Sequence, residues 1–201
     1  MKKLFLMAAM MLASAASFAQ HAVGKFTIQP KVGINIANLT KSDADPRIGA
    51  VAGAEFEYRA ADILGLSFGA LYSQQGAKST DDGATTTIKL DYINVPILAN
   101  VYVAPGFAVK VGLQPGFNVS SKVGVKTSGA SASVDMNDIK SIDFSIPVGM
   151  SYEFNNFVVD ARYNIGVTKW ADDVTLGDYT FNFSDSKHSV FQITLGYKFG
   201  L

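Results

Sequence analysis

From Phe26 to the last residue the chain alternates apolar and polar positions with a period of two. The final segment shows it best: Phe191, Ile193, Leu195, Tyr197, Phe199 and Leu201 are interleaved with Gln192, Thr194, Gly196, Lys198 and Gly200. Neighbouring strand side chains point to opposite faces, so this segment predicts a strand with one apolar face and one polar or small face. The same reading holds over 157–166, 142–154, 107–119 and 26–36, and more weakly over 48–59 and 64–75. An eighth strand, 88–103, breaks phase: Ile88, Leu90 and Tyr92 are even, whereas Ile93, Val95, Ile97, Val101 and Val103 are odd. One extra residue flips the facing of a strand, so a β-bulge is expected near Tyr92-Ile93.

The links between these strands alternate in length. Ala60–Ile63, Ala104–Gly106 and Asn155–Asn156 are short and rich in small residues or turn formers, while 39–46, 77–86, 121–140 and 168–187 are longer and polar. Eight antiparallel strands with that spacing place both termini at the short-turn end. The expected fold is all-β: an eight-stranded antiparallel up-and-down β-barrel.

Alternation alone does not say which face is inside. Many glycines fall on the polar face (Gly33, Gly53, Gly65, Gly69, Gly112, Gly149, Gly166, Gly196), as a crowded barrel interior requires and an exposed surface does not. Aromatic residues of the apolar face gather at the strand ends. Phe26, Tyr58, Tyr102, Phe107, Phe154, Phe157, Tyr197 and Phe199 fall towards the short turns. Tyr72, Tyr92, Phe117, Phe144, Tyr163 and Phe191 fall towards the long loops. Two such rings fit the interfacial girdles of a transmembrane barrel. The strands also reach the ~9–11 residues that a tilted strand needs to cross hydrocarbon. These features point to a transmembrane barrel with short periplasmic turns and longer extracellular loops, rather than to a soluble barrel with its apolar face inside.

The N-terminus fits that location. Lys2 and Lys3 precede the short apolar run Leu4–Leu12, and Ser17-Phe18-Ala19 places small residues for cleavage before Gln20. Residues 1–19 are therefore expected to be a cleaved secretory signal and 20–201 the outer-membrane barrel domain. Removal of the signal takes Lys2 and Lys3 with it and leaves 15 Lys and Arg against 17 Asp and Glu in 182 residues. A near-neutral chain offers no electrostatic footprint for nucleic acid. Cysteine is absent, so no disulfide holds this exported chain together. The long uncharged stretch Tyr92–Val109 contains Asn94, Pro96, Asn100 and a Pro105-Gly106 turn, and reads as two strands and a turn rather than a spanning helix.

Three passages resemble the PorT-like outer-membrane β-barrel domain family, broadly of the small OmpA/OmpX type. Val32-Gly33-Ile34-Asn35-Ile36-Ala37-Asn38 resembles its first strand, Leu90-Asp91-Tyr92-Ile93-Asn94-Val95-Pro96-Ile97-Leu98 its mid-barrel Tyr-x-x-x-Pro strand, and Gly196-Tyr197-Lys198-Phe199 its closing strand. The similarity spans roughly residues 21–201. It implies the barrel fold and a place in the outer membrane, with outer-membrane lipid and the barrel-assembly machinery as partners. It transfers no residue's role in secretion.

Candidate chemistry is sparse. Lys31, Glu55, Glu57, Arg59, Lys89, Asp91, Lys110, Asp143, Glu153, Asp160, Arg162 and Lys198 all fall on the polar face, hence inside. An eight-stranded barrel is just wide enough for side chains to fill, so these charges are expected to pair into a plug rather than line a conduction path. Only two histidines exist. His21 falls at the mature N-terminus. His188 is expected at the surface of the last strand's mouth, facing away from Ser189, which disfavours a nucleophile–base pair. Asp43-Ala44-Asp45, Asp81-Asp82 and Asp172-Asp173 lack the spacing of a calcium loop. Neither a phosphate-cradling glycine motif nor a zinc spacing occurs, and no catalytic residue, cofactor site or metal site is assigned. The expected role is non-enzymatic, structural or interacting through loops 39–46, 77–86, 121–140 and 168–187. A narrow transport pore is the alternative, and a lipid-modifying enzyme is less favoured.

Overall fold

The computed structural model describes residues 23–40, 44–81, 84–126, 131–135, 141–168, 174–176, 179–181 and 187–201. Residues 1–19, expected to be the signal, and His21 lie outside the described residues. Among the described residues there are thirteen strands: β1 (Phe26–Leu39), β2 (Asp45–Ala61), β3 (Leu64–Asp81), β4 (Ala84–Asn94), β5 (Ile97–Ala104), β6 (Phe107–Lys126), β7 (Ser131–Asp135), β8 (Ile142–Phe154), β9 (Phe157–Gly166), β10 (Val174–Leu176), β11 (Tyr179–Phe181), β12 (His188–Tyr197) and β13 (Phe199–Gly200). Eleven form one antiparallel sheet, and β10 with β11 forms a separate two-stranded one.

In the large sheet β1, β2, β3, β4, β6, β8, β9 and β12 pair in that order, β5 pairs with β3 and β6, β7 with β6 and β13 with β1, and β12 pairs with β1 from Lys31↔Gly196 to Leu39↔His188. The ladder therefore returns to the strand on which it began. Proline explains why β4 and β5 are separate. Pro96 has no N–H to donate, so pairing lapses at Val95-Pro96, while both halves lie between the same neighbours, β3 and β6.

One rim carries the termini and the tight turns. Asn155 and Asn156 both adopt positive φ (46° and 75°), as a two-residue hairpin turn requires. Gly106 supplies φ 72° at the Pro105-Gly106 turn. Backbone bonds run around this rim from one turn to the next: Tyr102 N–H to Ile63 O, Glu153 N–H to Gly106 O, Lys198 N–H to Asn156 O, and Leu201 N–H to Phe26 O.

At the other rim the strands outrun the sequence pattern. Much of 77–86 and 121–140, expected as loop, is strand: β3 runs to Asp81, β4 starts at Ala84, β6 reaches Lys126 and β7 adds Ser131–Asp135. These extensions are polar on one face without an apolar run opposite, so the period-two hydrophobic signal fades while β-branched Thr85, Thr86 and Thr87 keep the backbone extended.

The bulge is also placed differently. Even positions of β4 and β5 stay buried from Leu90 through Tyr92, Asn94, Leu98 and Asn100 to Tyr102, so no flip occurs in that strand. Asp91 pairs with Ser120 but Tyr92 with Asn118, which makes Val119 of β6 the extra residue. Inward positions of β6 change accordingly from even (Ala108, Lys110, Gln114) to odd (Ser121). Leu90 and Tyr92 face inward although apolar or aromatic, because they pack with Leu39 and Ala77 in a small apolar cluster at that end.

Apolar side chains cover the outside and polar ones fill the inside. Val32, Ile34, Val111, Leu113, Val159, Ile193 and Leu195 are exposed, whereas Lys31, Asn35, Lys110, Asp160, Arg162, Gln192 and Thr194 are buried. Aromatic contacts reinforce the turn-side rim: ring centroids are 4.8 Å apart in Phe26–Tyr58, 5.0 Å in Phe157–Tyr197 and 4.7 Å in Tyr197–Phe199. Tyr102 and Tyr92, expected in the outer rings, are both inside.

Small residues let the walls approach the packed interior. A Cβ at Gly149 would lie 2.4 Å from the Ala161 carbonyl oxygen and 2.9 Å from Arg162 Cα, so backbone would have to move. At Gly124 the nearest atom, the Ala132 oxygen, would be 3.8 Å away. Gly149→Ala is expected to lower stability by about 1–3 kcal/mol and Gly124→Ala to leave it within about 0.5 kcal/mol, measured as shifts of the urea unfolding midpoint in detergent.

Candidate functional site

The interior is the one place where charged chemistry concentrates. Its charged residues are five cations (Lys31, Arg59, Lys110, Arg162, Lys198) and five carboxylates (Glu55, Glu57, Asp143, Glu153, Asp160), all buried among the described residues. Each stands on an inward position of a strand, so pleat periodicity alone aims them at one another. Lys89 and Asp91, expected inside, face outward. Asp91 accepts a hydrogen bond from the exposed Tyr72 hydroxyl at 2.7 Å, and the even-inward facing of β4 is the cause.

The charges form two layers. In the middle, the Arg162 guanidinium donates to Asp160 Oδ1 at 2.6 Å and to Glu55 Oε2 at 2.8 Å. Lys31 Nζ donates to Glu55 Oε2 at 2.8 Å, and Lys110 Nζ to Asp160 Oδ2 at 2.7 Å. Lys31–Glu55 joins neighbouring strands and Arg162–Asp160 lies within β9, while Arg162–Glu55 links β9 to β2 and Lys110–Asp160 links β6 to β9. Planar guanidinium geometry suits Arg162 to bridge two carboxylates at once.

Towards the turn-side rim, Lys198 Nζ donates to Glu153 Oε2 at 2.8 Å, to Glu57 Oε2 at 3.3 Å and to the Tyr102 hydroxyl at 3.2 Å. Tyr102 in turn donates to Glu57, and the Arg59 guanidinium carbon lies 3.5 Å over its ring centroid. A phenol that serves as acceptor, donor and cation platform belongs inside, which is why Tyr102 leaves the outer girdle.

Above the middle layer the interior is mostly neutral amides and hydroxyls, with the buried Asp143 carboxylate as the one charge there among the described residues. Asn35 donates to Ser73 at 2.9 Å and Gln114 to Ser145 at 3.2 Å. Higher still, the Tyr92 hydroxyl and His188 Nε2 lie 3.1 Å apart, their rings edge to face at 5.3 Å. His188 is thus a buried packing residue, not a surface one: even positions of β12 face inward. Ser189 faces the other way, with its hydroxyl 2.6 Å from that of Tyr163. Sequence reasoning missed this Tyr92–His188 contact because its members sit 96 positions apart and each looks ordinary in its own segment.

Small cavities lie beside these groups among the described residues. One cavity of about 10 Å³ is lined by Lys25, Thr27, Glu57, Arg59, Tyr102, Glu153 and Lys198. Another of about 10 Å³ lies among Gln75, Asn94, Gln114, Gly116, Asp143, Ser145, Asn164, His188 and Val190. Each has room for about one water. Among the described residues no group of three or more His, Cys, Asp or Glu converges as a metal site would require. Asp43, Asp82, Asp172 and Asp173 lie outside the described residues.

Removing one member of such a network leaves buried charge uncompensated. Arg162→Met is expected to cost about 3–5 kcal/mol, read as a lower urea midpoint. Adding Glu55→Gln should return part of the loss, and full additivity of the two substitutions would show that the pair is not coupled.

Comparison with known proteins follows the same lines. No curated protein matches the chain. Among solved structures, Ail, the attachment invasion locus protein of Yersinia pestis, in complex with the heparin analogue sucrose octasulfate, is similar with a TM-score of 0.51 at 16% identity, over 89% of this chain and 100% of that one. Neisserial surface protein A is similar with a TM-score of 0.49 at 16% identity, over 90% and 100%. The first likeness shows a shared fold. The model of the outer membrane protein beta-barrel domain matches residues 18–172. With its sheet closed by β1 on β12, apolar outside and charged within, this chain belongs to the outer membrane protein beta-barrel domain family.

Proposed function

We propose that this outer-membrane protein is an eight-stranded up-and-down transmembrane barrel, exported through a cleaved signal at residues 1–19. It acts without catalysis, as a structural element or through its extracellular loops. Eight is the count when β4 with β5, and β12 with β13, are each taken as one wall strand and β7 as an addition to the β6 extension. The Tyr92-x-x-x-Pro96 passage supports placement in the PorT-like branch. Outer-membrane lipid and the barrel-assembly machinery are the general partners, and the long links on the far rim carry any specific one.

The observation that carries this reading is the filled interior. Five cations and five carboxylates occupy it, and the two cavities beside them hold about one water each. A conduction path needs continuous space, and a nucleophile–base pair needs side chains on one face. The packed charges among the described residues favour a plug over the first, and the opposite facing of His188 and Ser189 weighs against the second.

Two measurements test the proposal. Purified protein in a planar bilayer is expected to give no steady current, and a stable open-channel conductance would establish the transport pore instead. Leu195→Arg, in the middle of the exposed apolar band, should cost about 2–4 kcal/mol in phospholipid vesicles, whereas Thr80→Arg on the polar extension of β3 should cost about 0–1 kcal/mol. Equal costs at both positions would sink the membrane-facing assignment.

A further inference from the structure

The extended rim carries a second feature that the filled lumen does not use. Directly opposed residues of paired strands share a face. Four rows can therefore be followed up the outer wall across β3, β4 and β6. The first is Tyr72–Ile93–Phe117, an apolar and aromatic row. Two residues further along each strand the wall turns polar at Gln74, Asp91 and Ser120. Beyond that, Lys89 stands opposite Lys122, and Thr87 opposite both Lys78 and Gly124. Lys126 and, on β7, Ser133 complete this face.

The charges here are not balanced as they are inside. Lys122 is 3.6 Å from Asp135 and Lys78 pairs in register with Asp45. Lys89 and Lys126 have no carboxylate within 4 Å among the described residues. A depression of about 290 Å³ is lined by both, together with Thr87, Gly124, Ser133 and the apolar Val125 and Ala132. A Cβ at Gly124 would touch only the Ala132 oxygen. Two ammonium groups and two hydroxyls around an open hollow suit a phosphate, which accepts charge-assisted hydrogen bonds on several oxygens.

Height on the wall selects the source of that phosphate. Two residues of strand advance about 7 Å, so the Lys89–Lys122 row lies about 14 Å along the strands from the Tyr72–Ile93–Phe117 row. At a tilt of roughly 40° that is about 10 Å above it. Flexible lysine stems reach back several ångströms towards an interface. We propose that this outward face, centred on Lys89, Gly124 and Lys126, holds the phosphate of an outer-leaflet glycolipid packed against the barrel wall. The proposal rests on the transmembrane reading above.

Native mass spectrometry of the full folded chain in detergent tests it, with bis-phosphorylated lipid A as the probe and the same lipid stripped of both phosphates as its counterpart. Heat-modifiable gel migration first establishes folding; a chain that stays monodisperse without detergent would overturn the membrane reading itself. In the folded protein, adducts are expected with the phosphorylated lipid and not with the stripped one. Lys89→Gln with Lys126→Gln should weaken them about twenty-five-fold, at about fivefold per lysine, while Lys25→Gln at the opposite rim leaves them unchanged. Equal adducts with both lipids, or no change in the double variant, would overturn the lipid site alone. So would soluble polyphosphate binding that the double variant loses while its lipid adducts persist.

Discussion

Everything in this structure depends on the return of the hydrogen-bonded ladder to its first strand. A sheet edge in hydrocarbon leaves N–H and C=O groups with no partner, each at a cost of several kcal/mol. Pairing of β1 with β12 removes that edge, and the bond from Leu201 N–H to Phe26 O extends closure to the last residue. Once the ring is closed, the pleat leaves each side chain two choices, lipid or lumen. Apolar groups take the first, and polar ones must satisfy one another in the second.

That division sets the chemistry of the interior. A closed ring of this size has a cross-section that side chains fill, so every inward cation needs an inward acid nearby. The balance of five against five is the outcome. Arg162 is its centre because its guanidinium donates to both Glu55 and Asp160, with Lys31 also within 4 Å of each. Neutral amides and hydroxyls follow above, and the Leu39–Ala77–Leu90–Tyr92 cluster closes the far end with apolar surface.

Most of the wall was legible in the sequence because a two-faced strand writes its environment into alternate residues. Ten of the twelve inward charges were readable on that ground, and the tight turns at Asn155-Asn156 and Pro105-Gly106 announced themselves by residue type. The errors share one cause. Lys89, Asp91, Tyr92 and Tyr102 all belong to the β4–β5 wall, where polarity was taken to mark the lumen. There Leu90 and Tyr92 pack inward on other apolar groups, and Tyr102 serves the Glu57–Lys198 layer. Facing in that strand is decided by partners more than a strand away, which local pattern does not record. The same holds for His188, whose burial against Tyr92 depends on β12 standing across the interior from β4. The strand extensions at 77–86 and 121–126 escaped notice because outside an apolar surrounding no face is required to be greasy.

The layered interior also governs how the chain can assemble. Glu55 and Arg162 are 107 positions apart, Lys110 and Asp160 50, and Glu57 and Lys198 141. Few of these bonds form within a single hairpin, so a partly built sheet would carry unmatched charges towards the bilayer with nothing to neutralise them. Such contacts have high sequence separation, and their reward arrives only when the distant walls meet. The interior charges are thereby matched only when the ring is closed, so the contacts that fill the lumen also favour closure.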